Sequence, residues 1–148
     1  MAKGKRILTC RATFGALWLI FLLLSAISCG SSSTHAKLPN GVVDVPPPGQ
    51  PAAVKGMASL MGWAIGENGI SDVDIYVDRV YVASAHLGLV RPDVAAAFPN
   101  ETNSNTAGWQ ASLDCSNIAV GPHELVVQAT AKNGAKRDIG VYQIVVSK

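Results

Sequence analysis

The clearest alternation of apolar and polar residues lies between Gly62 and Ala85. There Val73, Ile75 and Val77 alternate with Asp74, Tyr76 and Asp78. A period of two puts the β-branched residues on one face and the carboxylates and the phenol on the other. That is the pattern of a half-buried strand in an antiparallel sheet. Asp78-Arg79 interrupts it and Val80 to Ala85 resumes it, which predicts a hairpin. Trp109, Ala111 and Leu113 alternate with Gln110, Ser112 and Asp114, and Cys115 continues the inward phase. Leu125, Val127, Ala129 and Ala131 share a face of the next strand, and Asn133-Gly134 signals the turn after it. In the last strand Tyr142, Ile144 and Val146 share one face while Ile139 and Val141 fall on the other, so a bulge is expected near Gly140.

Two stretches are less regular. Val42 to Val45 precedes Pro46-Pro47-Pro48, which cannot donate to a ladder, and so reads as an edge strand. Val54 to Ile65 reads as one or two strands with Gly56 and Gly62 at bends, in which either Trp63 with Met61 or Leu60 with Ala64 faces inward. Trp63 is expected inside, because the chain has few other large side chains to fill a core. The whole pattern predicts an all-β sandwich of about seven short antiparallel strands, with one long loop, 86–108. Within that loop Pro92 to Phe98 suits a single helical turn, with proline first and Asp93 near the start. Pro99 and Asn100 would end it.

The N-terminus follows a different logic. Lys3, Lys5, Arg6 and Arg11 precede an apolar run centred on Leu17 to Leu24, and small residues lead to Cys29. This is the layout of a secretory signal, residues 1–28. Ala26-Ile27-Ser28-Cys29-Gly30 resembles a bacterial lipobox, which implies that Cys29 becomes the first mature residue and carries acyl chains. Residues 29–41 are then a polar, small-residue tether, and 42–148 form the domain. An export signal cleaved without lipidation and an uncleaved helical anchor are the alternatives.

Processing changes the charge. The chain has 12 Lys+Arg and 10 Asp+Glu. Removing the four basic residues of the signal leaves eight cations (12 − 4) against ten anions, or −2 for residues 29–148. A weakly acidic body does not supply the clustered cations that nucleic acid requires. Beyond Cys29 only Cys115 remains, so there is no disulfide framework and no paired zinc ligands. Cys115 reads as a small core hydrophobe.

Residues Lys55 to Lys148 resemble bacterial immunoglobulin-like domains of exported and cell-surface proteins. The resemblance rests on Gly62-Trp63-Ala64, Gly69-Ile70 to Val77-Asp78, Arg91-Pro92-Asp93-Val94, Gly108-Trp109 to Leu113-Asp114, Gly121-Pro122-His123-Glu124-Leu125 and Asn133-Gly134. Arg79 stands where the pattern has glycine, which leaves the turn type open. The resemblance implies an immunoglobulin-like sandwich serving as a spacer, adhesion unit or accessory module, here expected as the unit alone on a lipid tether.

The candidate chemistry is sparse. Asp72, Asp74, Asp78, Asp93 and Asp114 follow no calcium-loop pattern, and Asp74 and Asp78 lie too far apart along one strand for a single ion. No metal or cofactor is expected. His86 and His123 belong to no nucleophile motif, so no catalysis is expected, and a small hydrolase ranks last. His123 reads as a corner residue bonding to backbone. A lipid-anchored envelope module with a structural, adhesion or protein-interaction role is the first reading, and a weak carbohydrate-binding module the second. Tyr76 and Tyr81 are the candidate surface aromatics. Arg91, Asp93 and Phe98 are the candidate partner-binding residues of the long loop. The structural reading of that loop ranks ahead of the binding one: Asp93 caps the helical turn, Arg91 pairs with a nearby carboxylate, and Val94 and Phe98 pack onto the sandwich.

Overall fold

The computed structural model describes residues 36–47, 49 and 51–148. The signal-type stretch and Cys29 lie outside the described residues.

Nine strands are present among the described residues: β1 (Asn40–Val45), β2 (Ala52–Lys55), β3 (Met57–Ile65), β4 (Ile70–Val77), β5 (Val80–Ser84), β6 (His86–Leu89), β7 (Gly108–Asp114), β8 (Gly121–Ala131) and β9 (Lys136–Ser147). They form a four-stranded sheet in the order β1-β3-β7-β6 and a five-stranded sheet in the order β2-β9-β8-β4-β5. Neighbouring strands are antiparallel except β2, which runs parallel to β9. This is an immunoglobulin-like β-sandwich.

The strand count exceeds the expected seven for two local reasons. Gly56, at φ +62°, breaks 52–65 into β2 and β3. The expected loop 86–108 opens as β6, which pairs with β7. The rest of that segment holds helix α1 (Pro92–Ala97) and a 3-10 turn at Ser104–Thr106.

The inward positions of β3, β4, β7, β8 and β9 make the core. Leu60, Val73, Ile75, Trp109, Leu113, Leu125, Val127, Ile144 and Val146 are at most 2 % exposed, and Cys115 is buried among them. Burial pushes its thiol pKa up, as for an inert core group. Trp63 does not join this core, contrary to the expectation from the sequence. Leu60 and Ala64 face inward instead. The reason lies at Gly62: a Cβ there would stand 2.6 Å from Cζ2 of Trp109. The bare glycine thus makes room for the Trp109 ring, and the strand phase that puts Gly62 inside puts Trp63 outside. Trp63 is then covered by α1, where Phe98 meets it at a centroid distance of 5.4 Å. With Ile65, Val94 and Ala107 they form a second small cluster.

Bulges adjust the remaining strands. Val127 pairs with Gly140 and Gln128 with Asp138, so Ile139 is the extra residue of β9, beside the expected position. That insertion lets Ile139 pack on the core while Val141 remains exposed. At the N-terminal side β1 begins at Asn40, two residues before the expected Val42. Pro39 is buried, Lys37 pairs with Glu101, and Asn133 Nδ2 donates to the Lys37 carbonyl at 3.3 Å and to Glu67 Oε2 at 2.9 Å.

Candidate functional site

The outer face of the five-stranded sheet brings together residues that are far apart in sequence. Cross-strand pairing aligns Val141 with Val126, Val126 with Tyr76, and Tyr76 with Tyr81. These four residues form an apolar ribbon across β9, β8, β4 and β5, about 14 Å wide at ordinary strand spacing. The bulge in β5 is essential to it. Ile75 pairs with Ala83 and Tyr76 with Tyr81, leaving Val82 as the extra residue. Tyr81 and Ser84 therefore both stand on the outer face although three positions apart. The two tyrosine rings meet edge to face with centroids 6.0 Å apart, a favourable arrangement of their quadrupoles. Tyr81 is 55 % exposed and Val141 57 %.

Hydrogen-bonding rows flank the ribbon. On one side Asp138, Gln128, Asp74 and Ser84 are aligned by the same pairings, with one register shift. Ser84 Oγ donates to Asp74 Oδ1 at 2.6 Å and lies 3.1 Å from the Tyr81 hydroxyl. Gln128 Nε2 donates to Asp138 Oδ1 at 2.9 Å. On the other side Glu124 and Arg79 line, with Tyr76, Val126, Gln128 and Asp138, an open depression of about 370 Å³. The sequence nominated Tyr76 and Tyr81, and the structure joins them. It did not nominate Val126, Gln128, Asp138, Glu124 or Arg79. The out-of-phase Val141 was the available signal that a bulge turns an apolar residue outward.

Asp78 and Arg79 close the β4–β5 hairpin. Both have positive φ, 49° and 68°, which defines a two-residue turn of type I′. Asparagine or glycine adopts such φ more easily than arginine, so other contacts must hold the turn. Asp78 Oδ1 accepts from the Glu124 N–H at 3.0 Å, and its backbone N–H donates to the Glu124 carbonyl at 2.9 Å. Oδ2 lies 2.6 Å from Nδ1 of His123, whose Nε2 lies 2.8 Å from the Ala119 carbonyl. Both partners of the ring are acceptors, so both ring nitrogens donate when the imidazole is protonated. The Asp78 bond first, then the Ala119 bond, raises the His123 pKa, and the His123 bond lowers that of Asp78.

The pH dependence follows from those directions. The Asp78 contribution is present above its unfolded value of about 3.9 and is lost as pH falls through the depressed folded value. The His123 contribution is full below about 6.5 and is lost as pH rises through the elevated folded value. The chain should therefore have a higher urea midpoint at pH 5.5 than at pH 8.5, and His123→Gln should flatten that difference. Equal midpoints for the parent at the two pH values would exclude the imidazolium clamp.

The long connection is held by Arg91. Its Nε and Nη2 donate to Asp93 at 2.9 and 2.7 Å, and Nη1 donates to Asp44 of β1 at 2.7 Å. The guanidinium thus ties α1 to an edge strand in a forked, planar geometry. The pKa of Arg91 is raised, first by the Asp93 bond, and that of Asp93 is lowered to about 2, first by the Arg91 bond. Arg91 itself occupies the N-cap position, and no side-chain cap bond forms there. The Asp93 carboxylate is spent on Arg91 rather than on the cap expected of it. Val94 is buried and Phe98 half-buried against Trp63. Arg91→Ala combined with Asp93→Ala should speed proteolytic cleavage between residues 89 and 108 several-fold while leaving the β-sheet circular dichroism unchanged. An unaltered cleavage rate would show that the clamp does not order this segment.

The other candidate acids are dispersed. Asp114 accepts from the Ser116 N–H at 2.9 Å, and the bonds from Ser116, the hydroxyl first, lower its pKa.

These features define an immunoglobulin-like module with a laterally assembled aromatic and polar face. No protein-family model and no curated protein matches the chain. Among solved structures it is similar to the fibronectin(III)-like modules of CbhA from Clostridium thermocellum, with 18 % identity, a TM-score of 0.50, and coverage of 75 % of this chain and 47 % of that one. The chain thus spans about half of that structure's length. It also matches an endo-β-1,4-mannanase from Thermotoga petrophila, with 10 % identity, a TM-score of 0.47, and coverage of 79 % and 21 %. A lytic polysaccharide monooxygenase from Jonesia denitrificans matches with 12 % identity, a TM-score of 0.44, and coverage of 68 % and 60 %. At 18 % identity the likeness to the CbhA modules bears on the fold alone.

Proposed function

We propose that the chain is a non-catalytic interaction module of the bacterial cell envelope, exported and lipid-anchored through Cys29, with the outer face of the five-stranded sheet as its contact surface. The observation that supports this most is the ribbon Val141–Val126–Tyr76–Tyr81, assembled from four strands and flanked by polar rows. An exposed aromatic with ordered neighbours on a rigid sheet loses little freedom when a partner docks. The segment carrying Arg91, Asp93 and Phe98 has a supporting role in this reading, because its charged groups are engaged within the domain.

The reading is tested with isolated envelope fragments. Tyr81→Ala and Val141→Asp should each lower binding of the chain at least tenfold, while Met61→Ala on the opposite sheet leaves it unchanged. Loss of binding in none of the three, or equally in all, would remove the face from consideration. Anchoring is tested separately. Cys29→Ala should abolish fatty-acid labelling and release the protein from the membrane fraction, and unlabelled parent protein would exclude the lipid anchor.

A further inference from the structure

We propose that the outer face of the five-stranded sheet binds a neutral glycan chain, with the Tyr81 ring as the stacking platform. The glycan role rests on that face being the contact surface of the module, and the amphipathic pattern of the face narrows the ligand chemistry.

A pyranose presents a face of C–H groups and a rim of hydroxyls, each able to donate and accept. The site has the matching layout, an apolar strip bordered by planar hydrogen-bonding groups. Tyr81 offers over half of its surface to solvent, yet its ring is fixed by the edge contact with Tyr76 and its hydroxyl by proximity to Ser84. Stacking on a preset ring costs little rotamer entropy. Tyr76 is half-buried and continues the strip inward to Val126.

The polar border is built from acceptors that retain capacity. Ser84 engages Oδ1 of Asp74, and Gln128 engages Oδ1 of Asp138. A carboxylate has about four lone-pair sites on two oxygens, so each can accept further hydroxyl donors while its side chain stays oriented. Vicinal hydroxyls suit such bidentate acceptors, and the Gln128 carbonyl and the Arg79 guanidinium add an acceptor and a donor. The rows follow strand spacing, so contacts recur across the sheet for a chain laid over it.

Charge selects against the main competitors. Asp74, Glu124 and Asp138 border the strip, against Arg79 as the facing cation. A phosphate- or uronate-bearing polymer would bring like charges together there. A neutral polysaccharide carries no such penalty. A protein partner is the other occupant that suits an apolar strip, and the experiment decides between them.

The full chain in detergent is run by affinity electrophoresis through gels containing a soluble β-glucan, a galactomannan or, as a polyanion, alginate. Retardation is expected in a neutral gel and not in alginate. Tyr81→Ala should raise the apparent Kd at least tenfold, and Tyr81→Phe should retain most binding because the ring does the stacking. No retardation in either neutral gel, or equal retardation of Tyr81→Ala, overturns the inference. Envelope fragments separate this failure from that of the interaction reading. Fragments whose Tyr81-dependent binding survives periodate but not protease identify a protein partner: the glycan inference then falls and the contact face stands. Fragments that lose it to periodate but not to protease support the glycan. Binding independent of Tyr81 in every preparation overturns both.

Discussion

Truncating Trp109 to alanine is expected to destabilise the domain by about 3–5 kcal/mol, the range for removing a buried large aromatic. Trp109 is 1 % exposed and sits in β7, between β3 and β6. Its ring occupies the space left by the bare Gly62 and belongs to the central cluster. The backbone around that space is fixed by pairing of Gly62 with Trp109 and of Met61 with Gln110, so the site cannot collapse onto the void. Trp109→Phe should cost less than alanine for a second reason. The indole Nε1 is buried without a hydrogen-bond partner among the described residues, and an unpaired buried donor costs about 1–3 kcal/mol. Phenylalanine removes that donor and keeps much of the ring. Urea unfolding measures both changes. A midpoint that barely moves for Trp109→Ala would mean that the ring is not part of the core.

The converse substitution is expected to be nearly as damaging. In Gly62→Ala the new methyl would lie 2.2 Å from the Val42 carbonyl oxygen and 2.6 Å from Cζ2 of Trp109. Real Cβ contacts do not come that close, and one of the two obstacles is backbone. Relief therefore requires β1 to move from β3, where Val42 pairs with Trp63 and Val43 with Gly62. Overpacking a well-filled core costs about 1–3 kcal/mol, and displacement of an edge strand places this site at the upper end. Alanine is otherwise innocuous in a strand, so the loss measures the steric demand alone. A parent-like urea midpoint would show that β1 and the Trp109 ring both give way at little cost.

These two residues also explain what the sequence could and could not reveal. Alternation around Trp109, Leu125 and Val73 gives the correct inward faces, because a period of two leaves no other choice once a run is long enough. It fails at Trp63, where size suggested burial and the neighbouring glycine decided otherwise. No local signal says that Gly62 lies under the ring of a residue as distant in sequence as Trp109. The break at Gly56 between β2 and β3 was legible as one of two options, whereas β6, four residues long inside the expected loop, is too short for a pattern to declare itself. Tyr76 and Tyr81 were legible as outward candidates. Their union with Val126 and Val141 was not, since cross-strand register depends on bulges at Val82 and Ile139. His123 at the Gly-Pro turn was legible as a corner residue, and it does meet the Ala119 carbonyl. Its second partner, Asp78, comes from a different hairpin.

The seating of residues 37–40 has a mechanical consequence. Asn40 pairs with Ile65, beside the β3–β4 turn, and Lys37 meets Asn133 in the β8–β9 turn. The chain therefore enters the sandwich at one pole. The Asp78-Arg79 tip lies at the other, one length of β4 away, roughly 25 Å. A pull on the segment ahead of Asn40, opposed by a load gripped near that tip, is directed along the strands. It draws β1 lengthwise against β3, so their hydrogen bonds are loaded together in shear rather than peeled open one by one. A force applied across the sheet at the β5 edge would instead unzip its ladder serially. Of these two loadings, the one along the strands is resisted by many hydrogen bonds at once and the one across the sheet by one at a time.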